Sequence, residues 1–416
     1  MKTLYCFLLG IMALPIWAQQ PLSLQDCYRQ VTENYPLAKQ KQMLETQNTL
    51  DLEAVSKKRL PQIDLAAQAT YQSDVTAVPV PNINVAPLDK DQYRASASVN
   101  QLIFNAGMVQ ASIDAKNAAF KTKEKQVEVE VYQLKQQVNQ LYFSILMQQK
   151  KQQLLQAQKT ALETKLKEVR AGVKYGALLP SSDKAVETGL LRVGQQMVAA
   201  ENDRVALLQT LSSLIGRSIS KATILEEPIL NTQFDTNLKR PELALYNLKK
   251  EEIETNTMLV AKQVAPKLYG FFSGGYGKPG LNMLDNSFQT FYTVGLKLNW
   301  NVFDWKANKK QREALAINKD IVDNQAEVFR LKTTITLNQL MKEIEKNQAF
   351  IESDARIINL QKSVTETANS QLNNGVITAS AYLTEVTKLY EYKTTLALHT
   401  IQLELAKANY NIIKGQ

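Results

Sequence analysis

The fold is decided by a short stretch of the chain, Gln62-Ile63-Asp64-Leu65-Ala66-Ala67-Gln68-Ala69-Thr70-Tyr71. Side chains alternate along it, with Ile63, Leu65 and Tyr71 on one side and mostly polar residues on the other. A period of two predicts a β-strand with one apolar and one polar face. The same alternation returns over residues 93–100, so the two stretches predict a β-hairpin.

The hairpin is part of a unit that occurs twice in the chain. Pro61 and Pro266, each just before a predicted strand, are 205 positions apart, whereas Gly176 and Gly375 are 199 positions apart. The spacing between the two copies changes once, from 205 to 199, so the copies differ in length at one place. A longer loop in the first hairpin accounts for this difference. The strands of the second copy are predicted over residues 268–276 and 292–300.

Long helices are predicted after both hairpins. No Gly or Pro occurs between Gly107 and Gly172. The same holds between Gly295 and Gly375, and apolar residues recur in both segments at intervals of three, four and seven. This pattern is typical of a coiled coil, and a helix over residues 107–175 would be about 100 Å long. The predicted fold class is mixed α and β, a duplicated helix–β-hairpin–helix unit with four strands per chain. Shorter helices are predicted over residues 23–58 and 182–215.

The N-terminus predicts export. Lys2, an apolar run over residues 4–14 and the small residue Ala18 form a signal peptide, residues 1–18. The apolar run is too short for a helix that spans a membrane. After cleavage Cys27 is the one cysteine left, which excludes an internal disulfide. The other predicted divisions are a first repeat over 19–216, a linker over 217–239 and a second repeat over 240–416.

Four amphipathic strands cannot close a barrel by themselves. Because lipid does not tolerate open sheet edges, a membrane location requires several chains to complete one barrel. The alternative is a soluble sheet whose apolar face packs on a core. Aromatic residues near the strand ends favour the membrane. The predicted membrane-facing residues are Tyr71, Tyr276, Tyr292 and Trp300. The residues expected in a water-filled lumen are Gln62, Asp64, Gln68, Asn100 and Lys297.

Short motifs along nearly all of the mature chain resemble those of the TolC-like outer-membrane efflux proteins, or outer membrane factors. They are Leu22-Ser23-Leu24-Gln25-Asp26 in the first helix, Gln101-Leu102-Ile103-Phe104-Asn105-Ala106-Gly107 at the strand-to-helix junction, and Arg240-Pro241-Glu242-Leu243 at the start of the second repeat. The turns Tyr175-Gly176 and Asn374-Gly375 are similar to the periplasmic helix tips of that family. The resemblance rests on the order, spacing and duplication of these motifs together.

The resemblance implies a homotrimer whose strands form one β-barrel in the outer membrane and whose helices form a tunnel in the periplasm. It also implies a periplasmic adaptor, or membrane fusion protein, fed by an inner-membrane RND, ABC or MFS transporter. The chain would then be the exit duct of a tripartite efflux or type I secretion system for small molecules or polypeptides. Adaptor docking is expected at two tip turns, made of Tyr175, Gly176, Ala177, Leu178 and Leu179 and of Asn374, Gly375, Val376, Ile377 and Thr378.

The residues expected to close the periplasmic end of the tunnel, its gate, depart from the family pattern. Acidic residues close the tunnel in known members, but the matching positions here hold Ala381 and Thr384. One hypothesis is an apolar constriction that uses Tyr382 and Leu383, since such a constriction blocks ions by dewetting. The other is a displaced acidic ring, and its candidates are Asp183, Glu187 and Glu385. The chain ends right after Gly415, so the linker is expected to supply the girdle around the tunnel.

Other classes of function fit the sequence poorly. The formal charge is +9, but Lys and Arg are interspersed with Glu and Asp as on solvated helix faces, which argues against nucleic acid as a partner. The single histidine, His399, is expected on the surface or in a helical seam, so neither a His-based metal site nor a catalytic triad is predicted. No enzyme activity and no cofactor are expected. The alternative is a secreted coiled-coil structural or adhesive protein without a channel.

Overall fold

The computed structural model of the chain describes residues 21–76, 87–232, 234 and 237–416. The predicted signal peptide lies outside this part. The α-helices are α1 Leu24–Asn34, α2 Ala38–Ser56, α3 Met108–Lys174, α4 Ser182–Ile215, α5 Pro241–Gln263, α6 Ala307–Asn373 and α7 Ala379–Lys414. The strands are β1 Gln62–Tyr71, β2 Asp91–Phe104, β3 Lys267–Lys278 and β4 Gln289–Asn299, and a short 3₁₀ helix spans Lys57–Arg59.

The observed elements confirm the predicted fold class, a duplicated helix–hairpin–helix unit. The expectation of one helix over residues 23–58 was wrong, because the chain breaks between α1 and α2 at Pro36. Proline lacks the N–H group that a continuing helix would need, and its ring pushes the preceding residue into an extended conformation. Tyr35 accordingly has a ψ angle of 138°. Among the described residues, no helix is both long enough and apolar enough to span a bilayer.

The four strands form one antiparallel sheet in the order β1-β2-β3-β4. Its register aligns Leu65 with Ala97, Ala97 with Gly274 and Gly274 with Tyr292, so one row of residues crosses all four strands. The same register places the predicted apolar residues of every strand on one face, and Gln62 and Asn100 on the other. Trp300 follows β4 directly, because the pairing between β3 and β4 ends at Lys267 and Asn299.

Most of the apolar face of the sheet is uncovered within the described chain, and Phe288 from the loop before β4 stacks on it at Tyr93 and Tyr276. Leu65 is 83% exposed, Tyr292 is 71% exposed and Val294 is 70% exposed. Within the described residues, the sheet does not place this face on a core. Burial of such a face would contribute about 25 cal/mol for each Å² of apolar surface, so a covering environment is strongly favoured.

The chain divides into two compact units that both draw on the two sequence repeats. Of the described residues, the helical unit comprises those up to Tyr35 together with those in Val131–Leu238 and Thr334–Gln416. The sheet unit comprises Pro36–Glu130 and Lys239–Thr333. The repeat boundaries therefore remain a prediction from the sequence, because the compact units cut across them.

The main core of the helical unit is built from α1, α3, α4 and α7. Cys27, Val138, Tyr142, Leu211 and Ile215 are fully buried in it. Burial raises the pKa of the Cys27 thiol to about 12, because the apolar surroundings disfavour the thiolate. Of the two expected places for His399, the structure shows the helical seam, where its ring nitrogen on α7 lies 2.6 Å from the Asp354 carboxylate of α6.

The predicted linker is fixed to this core. Leu225 pairs with Leu22 in a parallel bridge, and its backbone N–H donates to the Gln149 side chain at 3.0 Å. The buried Tyr142 hydroxyl lies 2.8 Å from the carbonyl oxygen of Leu22 and 2.7 Å from that of Glu226, and it donates to one of them at a time. The linker therefore has a defined position in the helical unit, because buried groups of α3 bind its backbone.

Candidate functional site in the helical turns and the sheet

The two predicted tip turns have the same backbone design. Gly176 has a φ of +75° and Gly375 a φ of +72°, in the left-handed region that favours glycine at the end of a helix. The Ala177 N–H donates to the Gly172 carbonyl at 2.8 Å, and the Val376 N–H donates to the Gln371 carbonyl at 2.8 Å. These hydrogen bonds satisfy carbonyl groups that the helix itself leaves unpaired, and they end α3 and α6 sharply.

The structure brings the two turns together at one end of the helical unit. Leu178 from the first turn and Ile377 from the second pack against one apolar cluster that includes Val169, Val186 and Leu372. The remaining apolar residues of the turns point outward. Tyr175, Leu179 and Val376 are exposed. A continuous, partly apolar surface of this kind is suited to contact with another protein.

The two gate hypotheses differ in how their residues are held. Tyr382 and Leu383 are half-buried on α7 and pack between the apolar clusters of α3 and α4, including Leu162 and Val186. This burial raises the pKa of Tyr382. Ala381 and Thr384 are exposed on the same helix. The apolar pair therefore contacts its own chain, while its small neighbours face outward.

The acidic candidates are paired with basic or amide side chains. Glu187 lies 3.3 Å from Lys184 and 3.6 Å from Arg170. Glu385 accepts hydrogen bonds from Gln361 at 2.8 Å and Lys388 at 2.9 Å, and these bonds hold its carboxyl pKa below the usual range.

Asp183 lies at the start of α4, and its carboxylate accepts a hydrogen bond from the Lys184 N–H at 2.8 Å. Its carboxylate is also 3.9 Å from the Lys184 ammonium group. Each carboxylate is thus close to a cation, which reduces the negative charge that an acidic ring would present.

The structure adds a tip residue that the sequence reasoning missed. Lys165 on α3 has a side chain that is 4% exposed, and its ammonium group donates to Asn373 at 2.7 Å and to Glu168 at 2.8 Å. The same group lies 5.3 Å from the Tyr382 ring centroid. A lysine placed in the apolar seam between Leu162 and Leu166 was the available signal, since charged residues are rarely buried without partners.

Aromatic side chains mark the predicted membrane-facing surface of the sheet. Tyr71, Tyr276, Tyr292 and Trp300 are all exposed. Phe272 stacks with Tyr292 at 6.5 Å between ring centroids, and Phe288 stacks with Tyr276 at 5.4 Å. Exposed aromatic rings of this kind are typical of the interface between membrane and water.

The polar face of the sheet also carries aromatic rings that were not expected there. Phe271 lies across the strand pair from Gly295, and Phe291 lies across from Gly275. A Cβ atom on Gly295 would be 2.9 Å from the Phe271 ring. Each glycine therefore leaves room for a ring that lies flat on the sheet. The Arg94 guanidinium group lies 5.4 Å from the centre of the Phe291 ring.

Three solved structures illustrate the shared fold. The chain is 11% identical to CusC, with a TM-score of 0.71 over 94% of this chain and 92% of that one. It is 13% identical to the CmeC outer membrane channel of Campylobacter jejuni, with a TM-score of 0.64 over 94% and 84% of the two chains. It is 14% identical to the MtrE outer membrane channel of Neisseria gonorrhoeae, with a TM-score of 0.66 over 94% and 89%. No curated protein sequence matches the chain.

The chain shares its fold with these outer membrane channels. The sequence model of the outer membrane efflux protein family matches residues 33–217, which include the first hairpin and the first tip turn. The predicted resemblance to TolC-like outer-membrane efflux proteins is therefore confirmed. The predicted location, an outer membrane with the helical part in the periplasm, is confirmed with it.

Proposed function

We propose that the chain is the exit duct of a tripartite efflux or type I secretion system, and that it passes small molecules or polypeptides from the periplasm to the exterior. The observation that carries this proposal is the uncovered apolar face of the four-stranded sheet. Leu65 and Val294, which are exposed in the single chain, would be buried in the hydrocarbon of the outer membrane and removed from water. The opposite face, with Asp64, Ser98 and Thr293 in one row, would line the water-filled bore.

The duct is proposed to be a homotrimer. The outer strands β1 and β4 each have one edge without a partner strand in the described chain, and a bilayer offers no water to satisfy the free N–H and C=O groups. Pairing β4 of one subunit with β1 of the next removes every edge. Three subunits, the number that the family resemblance implies, would close a ring of twelve strands.

The paired tip turns are proposed to dock a periplasmic adaptor, and through it an RND, ABC or MFS transporter. The turns end the long helices at Gly176 and Gly375, and they expose Tyr175, Leu179 and Val376 to a partner. The pump would supply the energy of transport, and this chain only the conduit. Because the pump supplies this energy, the proposed duct needs no catalytic group of its own.

Native mass spectrometry of the detergent-extracted protein tests the assembly, and single-channel recording in planar bilayers tests the duct. A trimer that conducts ions is expected. A variant with Leu65→Arg and Val294→Arg places two charges on the apolar face and is expected to abolish insertion, since each arginine costs about 2–4 kcal/mol near the bilayer midplane. A stable monomer that remains in buffer without detergent would instead support a secreted coiled-coil structural or adhesive protein.

A further inference from the structure

Basic residues gather where the chain enters and leaves the sheet. Lys57, Lys58 and Arg59 form the 3₁₀ helix just before β1, and all three are exposed. Lys306 and Lys309 follow β4 and are exposed as well. The first group is held in place by the sheet, because the Gln101 side chain donates to the Arg59 carbonyl at 2.8 Å and the Gln62 side chain donates to the Lys57 carbonyl at 3.3 Å.

Both groups lie at the same end of the sheet and on its two outermost strands. β1 begins and β4 ends at this end, because the four strands run antiparallel in sequence order. In the closed barrel of the proposed function, β4 of one subunit pairs with β1 of the next. The 3₁₀ helix of one subunit and the Lys306 segment of its neighbour would then meet at each subunit seam. This step rests on the proposed function.

The combined group has more positive charge than its own acids neutralise. Among the described residues, no carboxylate lies within 4.0 Å of Lys57, Lys58 or Lys306. The Glu313 carboxylate is shared between Lys310 at 2.7 Å and Lys309 at 3.8 Å.

The other nearby acid is already engaged with the backbone. The Asp304 carboxylate accepts a hydrogen bond from the Asn308 N–H at 2.8 Å. Several cations brought together at a seam would repel one another, so the seam favours an anion from outside the chain.

Lys306 occupies a position that favours glycine. Its φ is 66°, and the residue at the same place in the first repeat is Gly107, with a φ of 81°. A side chain in this left-handed conformation is strained, because its Cβ atom comes too close to the following carbonyl oxygen. The corresponding junction of the first repeat, which lies in the middle of the sheet, also has Gln110 and Ala111 where the second repeat has Lys309 and Lys310. Charge is thus concentrated at the sheet edge, even where the backbone conformation disfavours it.

Aromatic residues next to the cations fix their depth relative to the membrane. Phe303 and Trp305 pack edge to face with 4.8 Å between ring centroids. Trp305 is 85% exposed and directly precedes Lys306. Tryptophan prefers the boundary between hydrocarbon and head groups, and lysine beside it reaches the phosphate layer.

We propose that each subunit seam binds an anionic phospholipid of the periplasmic leaflet. Lys57 and Lys58 of one subunit and Lys306 and Lys309 of the next contact its phosphate. Trp305 packs against the glycerol and upper acyl region. The bound lipid offsets repulsion between the two basic groups, and it thereby stabilises the seam where β4 and β1 of different chains must pair.

Native mass spectrometry of the full-length protein, loaded with phosphatidylglycerol or phosphatidylcholine and released from detergent, tests the proposal. The test variant replaces Lys57, Lys58, Lys306 and Lys309 with Gln. The matched control replaces four exposed lysines of the helical unit, Lys167, Lys342, Lys346 and Lys362, with Gln. The wild type and the control are expected to keep phosphatidylglycerol in preference to phosphatidylcholine, and the test variant to keep about tenfold less phosphatidylglycerol.

A second variant separates binding from structure. Lys306→Gly relieves the backbone strain, so it is expected to raise the thermal unfolding temperature in lipid-free detergent while it lowers the retention of phosphatidylglycerol. Equal retention of both lipids by the wild type, or full retention by the four-lysine variant, would overturn the proposal. Displacement of the lipid by millimolar inorganic phosphate would also overturn it, because the seam would then be a simple anion site. A spectrum of monomers would instead contradict the proposed trimer. One mass spectrum distinguishes the two failures, because it shows both the number of subunits and the number of bound lipids.

Discussion

The ammonium group of Lys165 lies 2.7 Å from the side-chain oxygen of Asn373. A buried lysine of the first repeat therefore holds the C-terminal end of α6 in the second repeat. Asn373→Ala removes this acceptor. We expect the free energy of unfolding to fall by about 1–3 kcal/mol, because a buried charged donor loses a partner. Thermal unfolding in detergent measures the loss, and single-channel recording is expected to show larger or more frequent openings.

Asn374→Ala is the matched control, since Asn374 is the next residue, is exposed like Asn373, and is not the asparagine to which Lys165 donates. It is expected to leave both readouts unchanged. Equal behaviour of the two variants would show that the contact between Lys165 and Asn373 does not hold the tip.

The tip glycines give a test of adaptor docking. Gly176→Val and Gly375→Val together place β-branched side chains at φ angles near +75° and +72°, and we expect a strain of about 1 kcal/mol or more at each turn. There is open space around Gly176, so the effect comes from the backbone and not from a clash. Transport in cells is expected to fail while the trimer still assembles.

Gly194→Val serves as the control for those variants. Gly194 lies inside α4, has no positive φ and would give a new Cβ open space. Export is expected to continue in this variant. Intact export in the double tip variant would show that the turns are not the docking site.

The acidic ring hypothesis can be tested by charge removal. We expect Asp183→Asn, Glu187→Gln and Glu385→Gln together to leave conductance and block by divalent cations nearly unchanged, because the carboxylates already lie close to cations such as Lys184 and Lys388. Planar bilayer recording provides the measurement. Loss of the block in the triple variant would establish the acidic ring and reject closure by Tyr382 and Leu383.

The pH dependence of the cation block gives a second test of the acidic ring. Hydrogen bonds from Gln361 and Lys388 lower the pKa of Glu385 below its ordinary 4.5. Because this pKa is lowered, the Glu385 carboxylate is ionised and keeps its hydrogen bonds above pH 4.5. The stabilisation that these bonds provide is lost only as the pH falls through the lowered pKa. Any block that depends on Glu385 must therefore persist down to pH 4.5. A block that fades between neutral pH and pH 5 would have another origin.

Tyr142 provides a test of the linker. Tyr142→Phe keeps the ring but removes the hydroxyl between the carbonyl groups of Leu22 and Glu226, and we expect a loss of about 1–3 kcal/mol because buried carbonyl groups lose their donor. Thermal unfolding and limited proteolysis within the linker measure it. Tyr175→Phe, at an exposed tyrosine, should change neither quantity.

The glycines of β3 give a test of the barrel. A Cβ atom on Gly275 would lie 2.5 Å from the Ala95 carbonyl oxygen and 2.6 Å from the Phe291 ring, so Gly275→Ala must displace β2 or the ring. We expect trimer yield to fall several-fold. The neighbouring Gly274→Ala meets only an ordinary contact of 3.4 Å with Phe272 and should assemble normally. Semi-native gel electrophoresis distinguishes trimer from monomer.

Local periodicity explains why most of the fold could be predicted. The alternation that ends at Tyr71 and the glycines at Gly176 and Gly375 act within a few residues, so the sequence alone indicates strands and turns. The helix over 182–215 was predicted with the bounds that α4 has. The break at Pro36 was missed because a proline near a helix start is compatible with either a break or a continuing pattern.

The contacts of the candidate site were harder to predict because they join distant parts of the chain. Lys165 and Asn373 are 208 residues apart, and Tyr142 and Glu226 are 84 residues apart. Amphipathic periodicity assigns each residue to a face but does not say which residue of another helix it meets. The flat ring of Phe291 was missed for the same reason, since its space is provided by Gly275 on a neighbouring strand.

The burial of Cys27 makes the mature protein convenient for spectroscopy. With its pKa raised to about 12, this thiol remains protonated at neutral pH, and the thiolate is the form that reacts with maleimide or methanethiosulfonate labels. It is the one free cysteine among the described residues, so a second cysteine at an exposed position such as Ala177 would take the label alone. Distances between spin labels or fluorophores on the tips could therefore be followed during opening without first replacing the native cysteine.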